Sequence, residues 1–184
     1  MRIIAGTAHG QPIKAPAGRN TRPTTDRVRE AIFSALTPFL AEAKVLDAFA
    51  GSGALGLEAL SRGAAQAVFC EQARAAQIVI KENLARTKLD KQAVLLGGLA
   101  EQQLARLAEQ RPAFDIVLLD PPYNKGLIAK IEPLLLADGF LAAGALVMLE
   151  TAAKEPELLA DSRWQLLKNR VYGDTAVYYW ELID

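Results

Sequence analysis

Residues 44–56 read Lys44-Val45-Leu46-Asp47-Ala48-Phe49-Ala50-Gly51-Ser52-Gly53-Ala54-Leu55-Gly56, an apolar run that passes through one acid into glycines. The run predicts a buried strand over 44–50, followed by a helix from about 53 to 62. Gly51, Gly53 and Gly56 satisfy G-x-G-x-x-G at that junction, where glycines let backbone approach a ligand. Glu71 closes the next expected strand, 67–71, twenty residues after Gly51. At that distance an acid meets the two vicinal hydroxyls of a ribose, so the two features together point to a nucleoside cofactor.

Outward from this stretch the same alternation continues. The pattern predicts a long helix over 73–87, a strand at 93–96 and an amphipathic helix through Leu99, Leu104 and Leu107. A strand at 114–119, a helix at 127–136 and a strand at 145–150 follow. Such alternation is the signature of an open α/β sheet. The chain ends differently: 164–171 and 176–182, joined by Tyr172-Gly173-Asp174-Thr175, read as an antiparallel hairpin. Residues 1–24, with Gly6, Gly10, Pro12, Pro16, Gly18 and Pro23, read as a small β-hairpin or extended arm preceding one domain over 25–184. Thr25 or Asp26 would cap a helix with Val28, Ile32, Ala35, Leu36 and Phe39 on one face.

The 184 residues suffice for one domain with a sizeable core, and 51% hydrophobic with 23% charged residues is ordinary globular composition. Net charge is zero but uneven. Residues 1–30 hold six basic and two acidic side chains, leaving the rest at −4. A basic arm on an acidic body points to a polyanion at one end. Arg19, Arg22, Arg27 and Arg29 suit phosphate contacts, which position without specifying; for Arg27 and Arg29 a solvated helix face is the competing reading.

The single cysteine, Cys70, excludes an internal disulfide and a cysteine metal site, and reads as packing within a strand. His9, the only histidine, excludes a Ser-His-Asp triad and a multi-histidine zinc site, so no metal is expected. Trp164 and Tyr178–Trp180 lie at strand spacing and read as core. The longest apolar stretch, 134–149, is broken by Asp138, Gly139 and Gly144; no membrane span or signal peptide is read, and a cytoplasmic location is expected.

The tetrapeptide Asp120-Pro121-Pro122-Tyr123 directly follows the apolar run 114–119. Two consecutive prolines fix φ and supply no N–H, so the strand must stop there. What remains is a rigid set of acceptors, the Asp120 carboxylate and the Pro121 carbonyl, beside a stacking ring, Tyr123. Such a set fits a planar base with an exocyclic amino group. The acid inside the first strand decides between cofactors. A pyrophosphate would be repelled by Asp47, whereas the ammonium of S-adenosylmethionine would be attracted, directly or through water; and Asp-Pro-Pro-Tyr gives hydride chemistry no role.

With these motifs in place, the chain resembles the RsmD-type 16S rRNA guanine-N2 methyltransferases over nearly its whole length. The resemblance lies in Arg2-Ile3-Ile4-Ala5-Gly6, in Thr21-Arg22-Pro23-Thr24-Thr25-Asp26-Arg27-Val28-Arg29-Glu30 and in residues 47–62. It implies a class I S-adenosylmethionine-dependent methyltransferase fold, Rossmann-like, with a mostly parallel seven-stranded sheet and a C-terminal antiparallel hairpin. It also implies methylation of one guanine N2 in 16S rRNA, within assembled or partly assembled small subunits. By the same resemblance Asp47, Phe49, Ala50, Gly51, Ser52 and Gly53 hold the methionine part and Glu71 the ribose. Asp120, Pro121, Pro122 and Tyr123 hold the target base, and Arg22-Pro23-Thr24 closes over the cofactor and meets RNA. A monomer is expected.

One departure stands out. Where the family usually has Asp or Asn for the adenine amino group, this chain has Leu96-Gly97-Gly98-Leu99-Ala100-Glu101, leaving backbone groups, an apolar wall at Leu99, or Glu101. Two rival functions remain readable: an amino methyltransferase of adenine N6 in DNA or RNA, and a non-catalytic RNA- or nucleoside-binding module.

Overall fold

The computed structural model describes residues 1–16, 25–123 and 125–183. Within them lie helices α1 (Asp26–Leu36), α2 (Ala54–Ser61), α3 (Arg74–Thr87), α4 (Ala100–Ala108) and α5 (Leu127–Leu135). The strands are β1 (Lys44–Asp47), β2 (Gln66–Glu71), β3 (Ala93–Gly97), β4 (Phe114–Leu119), β5 (Leu141–Ala152), β6 (Trp164–Tyr172) and β7 (Thr175–Leu182). They form one sheet in the order β3-β2-β1-β4-β5-β7-β6. β1 to β5 pair in parallel, and β7 runs antiparallel between β5 and β6.

Successive strand residues face opposite sides, which splits the core into two layers. Val45, Phe69, Leu118 and Met148 pack with α1, α2 and α3 on one face. Leu46, Cys70, Leu119 and Leu149 pack with α4 and α5 on the other. The chain therefore changes direction and face between β1 and β4. In doubly wound sheets the crevice outside the carboxyl ends of such strands is where ligands bind.

Helix α2 is buried from Leu55 to Ser61, more than one apolar face requires. The cover on its outer side is residues 1–16. Ile3, Ala8 and Ile13 join the core beside α2, and the Glu58 carboxylate accepts the backbone N–H of Ile4 at 2.8 Å and of Ala5 at 3.0 Å. The Ser61 hydroxyl accepts from Ala8 N–H at 3.0 Å and donates to the Ala5 carbonyl at 2.6 Å. Over its described part the expected arm is docked onto the domain as a short antiparallel hairpin, with a bridge from Arg2 to Pro12 and backbone hydrogen bonds from Ile3 N–H to the Gln11 carbonyl and from Ile13 N–H to the Met1 carbonyl, each at 3.0 Å.

Other boundaries moved for identifiable reasons. Thr25 caps α1, its hydroxyl accepting from Val28 N–H at 3.3 Å. Phe39 leaves the buried face and is 53% exposed, because Thr37–Phe39 is a 3-10 turn whose tighter winding rotates it outward. β1 ends at Asp47, three residues before the expected 50, where the chain turns into the glycines. β5 begins at Leu141, not 145, through a register shift opposite Phe114 and Ile116. No helix among the described residues is long and apolar enough to cross a membrane.

Candidate active site

At the carboxyl ends of β2, β1, β4 and β5 lies one cleft of about 1050 Å³. Phe49, Gly51, Glu71 and Leu99 line one end, and Asp120–Tyr123 line the other. Sequence-distant motifs therefore meet because their strands are neighbours.

The glycine turn is held from three sides. Glu71 Oε2 accepts the Gly51 N–H at 2.8 Å, and Oε1 accepts the Ala73 N–H at 2.7 Å at the start of α3. Asp47 Oδ2, beneath the turn, accepts the Gly56 N–H at 3.0 Å. Asn83, fully buried on α3, donates to the carbonyls of Ser52 and Lys14, each at 2.9 Å, and accepts from Lys14 N–H at 2.8 Å. Two glycines are required by geometry. Gly53 has φ +78° and opens α2, and a Cβ on Gly56 would lie 2.3 Å from the Phe69 ring.

Asp47 is 1% exposed and its Oδ1 has no hydrogen-bond partner among the described residues. Burial raises its pKa from 3.8 to about 7, the Gly56 N–H offsetting part of this and the nearby Glu71 charge adding to it. Burial likewise pushes the Cys70 thiol up to about 12, with Asp47 and Glu71 contributing, which fits a packing residue and not a nucleophile.

Asp120 is half-buried, Pro121 buried, and the Tyr123 ring 38% exposed toward the cleft. The Tyr123 hydroxyl hydrogen-bonds the Thr175 hydroxyl at 3.3 Å, tying the ring to the β6–β7 turn. That turn, with Tyr172 and Asp174, forms a further wall of the cleft.

Not every expected site residue reaches the cleft surface. Asp47, Ala50, Ser52 and Gly53 lie behind Phe49 and Gly51 and shape the turn. Arg27 is exposed and lines the cleft, but Arg29 does not face solvent, and its reading as a phosphate contact is corrected. It is 0% exposed, its guanidinium donating to Asp26 at 3.0 Å and to the Arg2 carbonyl, with Glu58 at 3.8 Å. Residues Arg19 and Arg22, with the Arg22-Pro23-Thr24 lid, lie outside the described residues. Asn83 and Glu150 went unread. The available signal was a polar residue on the Ala76, Ile80, Leu84 face of α3, and an acid ending the apolar run of β5 as Glu71 ends β2.

Comparison with known proteins places this geometry. The family described as conserved hypothetical protein 95 matches residues 1–181. The ribosomal RNA small subunit methyltransferase D of Escherichia coli K12 is 39% identical over 176 residues, 96% of this chain and 87% of that one. A solved putative methyltransferase, yhhF from Escherichia coli, superposes with a TM-score of 0.88 at 38% identity, covering 100% of this chain and 98% of that one. A putative S-adenosylmethionine-dependent methyltransferase from Streptococcus mutans, 15% identical, matches in fold alone with a TM-score of 0.71 over 89% of this chain and 50% of that one. The architecture is the class I methyltransferase fold.

Proposed function

This chain belongs to the conserved hypothetical protein 95 family, and from that premise we propose that it methylates the N2 amino group of a guanine in 16S ribosomal RNA, using S-adenosylmethionine. The observation that carries the reading is the single cleft, with the glycine turn and Glu71 at one end and Asp120–Tyr123 at the other.

The residues present fit the cofactor. Glu71 spends one lone pair of each oxygen on backbone N–H groups and keeps others for ribose hydroxyls. The unpartnered Oδ1 of Asp47 offers a buried acceptor near the turn for an ammonium, through water where contact is not direct. Leu99, 43% exposed at the start of α4, provides an apolar wall for adenine in place of the missing Asp or Asn. When bound, S-adenosylmethionine supplies an electrophilic sulfonium methyl.

The chain's own work is to make a poor nucleophile competent. The guanine amino lone pair is delocalised into the ring. Asp120 and the Pro121 carbonyl accept its two N–H bonds and favour the pyramidal geometry in which the lone pair is available. Holding the amine at near-attack distance supplies most of the remaining acceleration. Asp120 then takes up the proton, which an alkylated amine sheds readily, so a strong base is not needed. A stacked base must be extruded to reach this turn, and Tyr123, braced by Thr175, replaces lost stacking. The substrate is RNA in an assembled or partly assembled small subunit, and the enzyme works as a cytoplasmic monomer without metal.

The test is labelled methyl transfer to small subunits from cells lacking the enzyme, followed by nucleoside analysis. N2-methylguanosine is the expected product, and its absence with Asp120→Ala at unchanged cofactor affinity assigns the base end of the cleft. N6-methyladenosine, or no transfer, overturns the reading.

A further inference from the structure

We propose that Glu150 is a specificity residue that accepts the N1–H of the target guanine and so excludes adenine from the cleft; this rests on the guanine reading above. Glu150 lies near the carboxyl end of β5, is 4% exposed, and lines the same cleft as Asp120. The β4–β5 register pairs Leu118 with Met148 and Leu119 with Leu149, so Asp120, just past the end of β4, and Glu150, within β5, directly follow a paired position on adjacent parallel strands. Strands in that arrangement run roughly 4.8 Å apart. Leu118 and Met148 face the α1–α3 layer and Leu119 and Leu149 the α4–α5 layer, so strand alternation returns Glu150 to the first face, while Asp120 follows directly on the end of β4 and lines the same cleft. Val177 of β7, the register partner of Glu150, faces that layer too.

The same alternation applies to Asp47 after Leu46 and to Glu71 after Cys70. Four consecutive strands in the sheet, β2, β1, β4 and β5, therefore each carry one carboxylate at, near or just past their carboxyl ends. Glu71 stands at the nucleoside end of the cleft, with Asp47 behind the glycine turn. Asp120 takes the amino group. Glu150 is the member the mechanism has not used, and it sits beyond Asp120 on the side away from the glycine turn.

The chemistry of the base matches that spacing. The Watson–Crick edge of guanine presents two kinds of donor side by side, the N2 amino group and N1–H. Adenine presents its amino group beside N1 as a bare lone pair. A second carboxylate next to the first accepts from guanine N1–H and repels adenine N1. Sites that hydrogen-bond a donor reject analogues lacking it more strongly than apolar pockets do, because the hydrogen bond is lost and, for adenine, replaced by repulsion between the carboxylate and the N1 lone pair. Asp-Pro-Pro-Tyr alone fits either base, and Glu150 is what tells them apart.

The experiment uses the full chain and assembled small subunits carrying guanine, 2-aminopurine or 6-thioguanine at the position the wild type methylates. 2-Aminopurine keeps the amino group but has a lone pair at N1; 6-thioguanine keeps N1–H. Wild type should prefer guanine over 2-aminopurine by roughly ten- to a hundredfold in kcat/KM, the range for one hydrogen bond to a charged group. In Glu150→Gln, whose amide both donates and accepts, the preference should fall to about threefold or less. S-adenosylhomocysteine affinity should stay within about twofold, since Glu150 is assigned to the base. An unchanged preference in Glu150→Gln, with N2-methylguanosine still the product, overturns the role of Glu150 alone. A product other than N2-methylguanosine from wild type overturns the guanine reading and Glu150 with it. Should Glu150→Gln fail to fold, wild type decides: 6-thioguanine used like guanine and 2-aminopurine rejected supports the proposal, and equal use of all three overturns it.

Discussion

The Glu71 carboxylate accepts the backbone N–H of Gly51 at 2.8 Å, so the acid that ends β2 also fixes the turn that ends β1. Cofactor recognition and loop shape therefore share one side chain. Glu71→Ala should weaken S-adenosylhomocysteine binding by at least the roughly 1.5–3 kcal/mol expected for hydrogen bonds to a charged group. Glu71→Gln, which keeps one acceptor and adds a donor, should lose less. Calorimetry on the three proteins checks this, and equal affinities would remove Glu71 from the site.

Asp47 gives a pH signature. Its folded pKa of about 7 lies above the ordinary 3.8, with burial as the main cause. Below about pH 4 the group is protonated in both states and costs nothing. Between about 4 and 7 the folded protein keeps a proton the unfolded chain has lost, so its contribution falls as pH rises, by about 1.4 kcal/mol per unit, and levels off above 7. Asp47→Asn should remove that slope and melt higher than wild type at pH 8, while binding cofactor more weakly. Paired thermal melts from pH 4 to 8 measure it. A wild-type-to-variant gap that stays constant with pH would mean the carboxyl is ionised throughout.

Most of this site was legible because its parts end strands. Asp47, Glu71 and Asp120 each follow an apolar run, and strand order then brings the runs together. What escaped reading depended on tertiary neighbours. Arg29 resembles its exposed neighbour Arg27 in sequence, and only the docking of residues 1–16 over α2 buries it beside Glu58. Asn83 reads as a polar interruption in a helix until Ser52 and Lys14 are placed against it. The start of β5 was missed because Ala142, Ala143 and Gly144 carry no strand pattern and pair through a register shift.

The Arg29–Glu58 pair should govern stability, not catalysis. Both side chains are fully buried, and Glu58 also receives the Ile4 and Ala5 N–H groups and Arg62 Nε at 2.7 Å. Glu58→Ala leaves the buried Arg29 with only the half-exposed Asp26 as its acid and two backbone donors unmatched, for a cost of about 3 kcal/mol. The double variant Arg29→Met with Glu58→Met should recover part of that loss, since no buried charge remains. Urea unfolding resolves the two, and a Glu58→Ala loss below about 1 kcal/mol would show that water reaches the pair.

With Arg29 removed from the surface and Lys14 paired to Glu82 at 2.7 Å, the excess positive charge of residues 1–30 no longer acts as one block. Arg27 is the arginine of α1 that is both exposed and at the cleft. Each phosphate neutralised releases counterions and contributes about 0.9 to the slope of log affinity against log salt for duplex nucleic acid, and about 0.7 for single strands. Arg27→Ala should lower that slope by about one such step and weaken binding to small subunits most at low salt. Arg29→Met should leave the slope unchanged and lower the unfolding midpoint instead. Subunit binding across a salt series, with unfolding curves for the same proteins, separates the two arginines. Equal slopes for wild type and Arg27→Ala would place the phosphate contacts away from the start of α1.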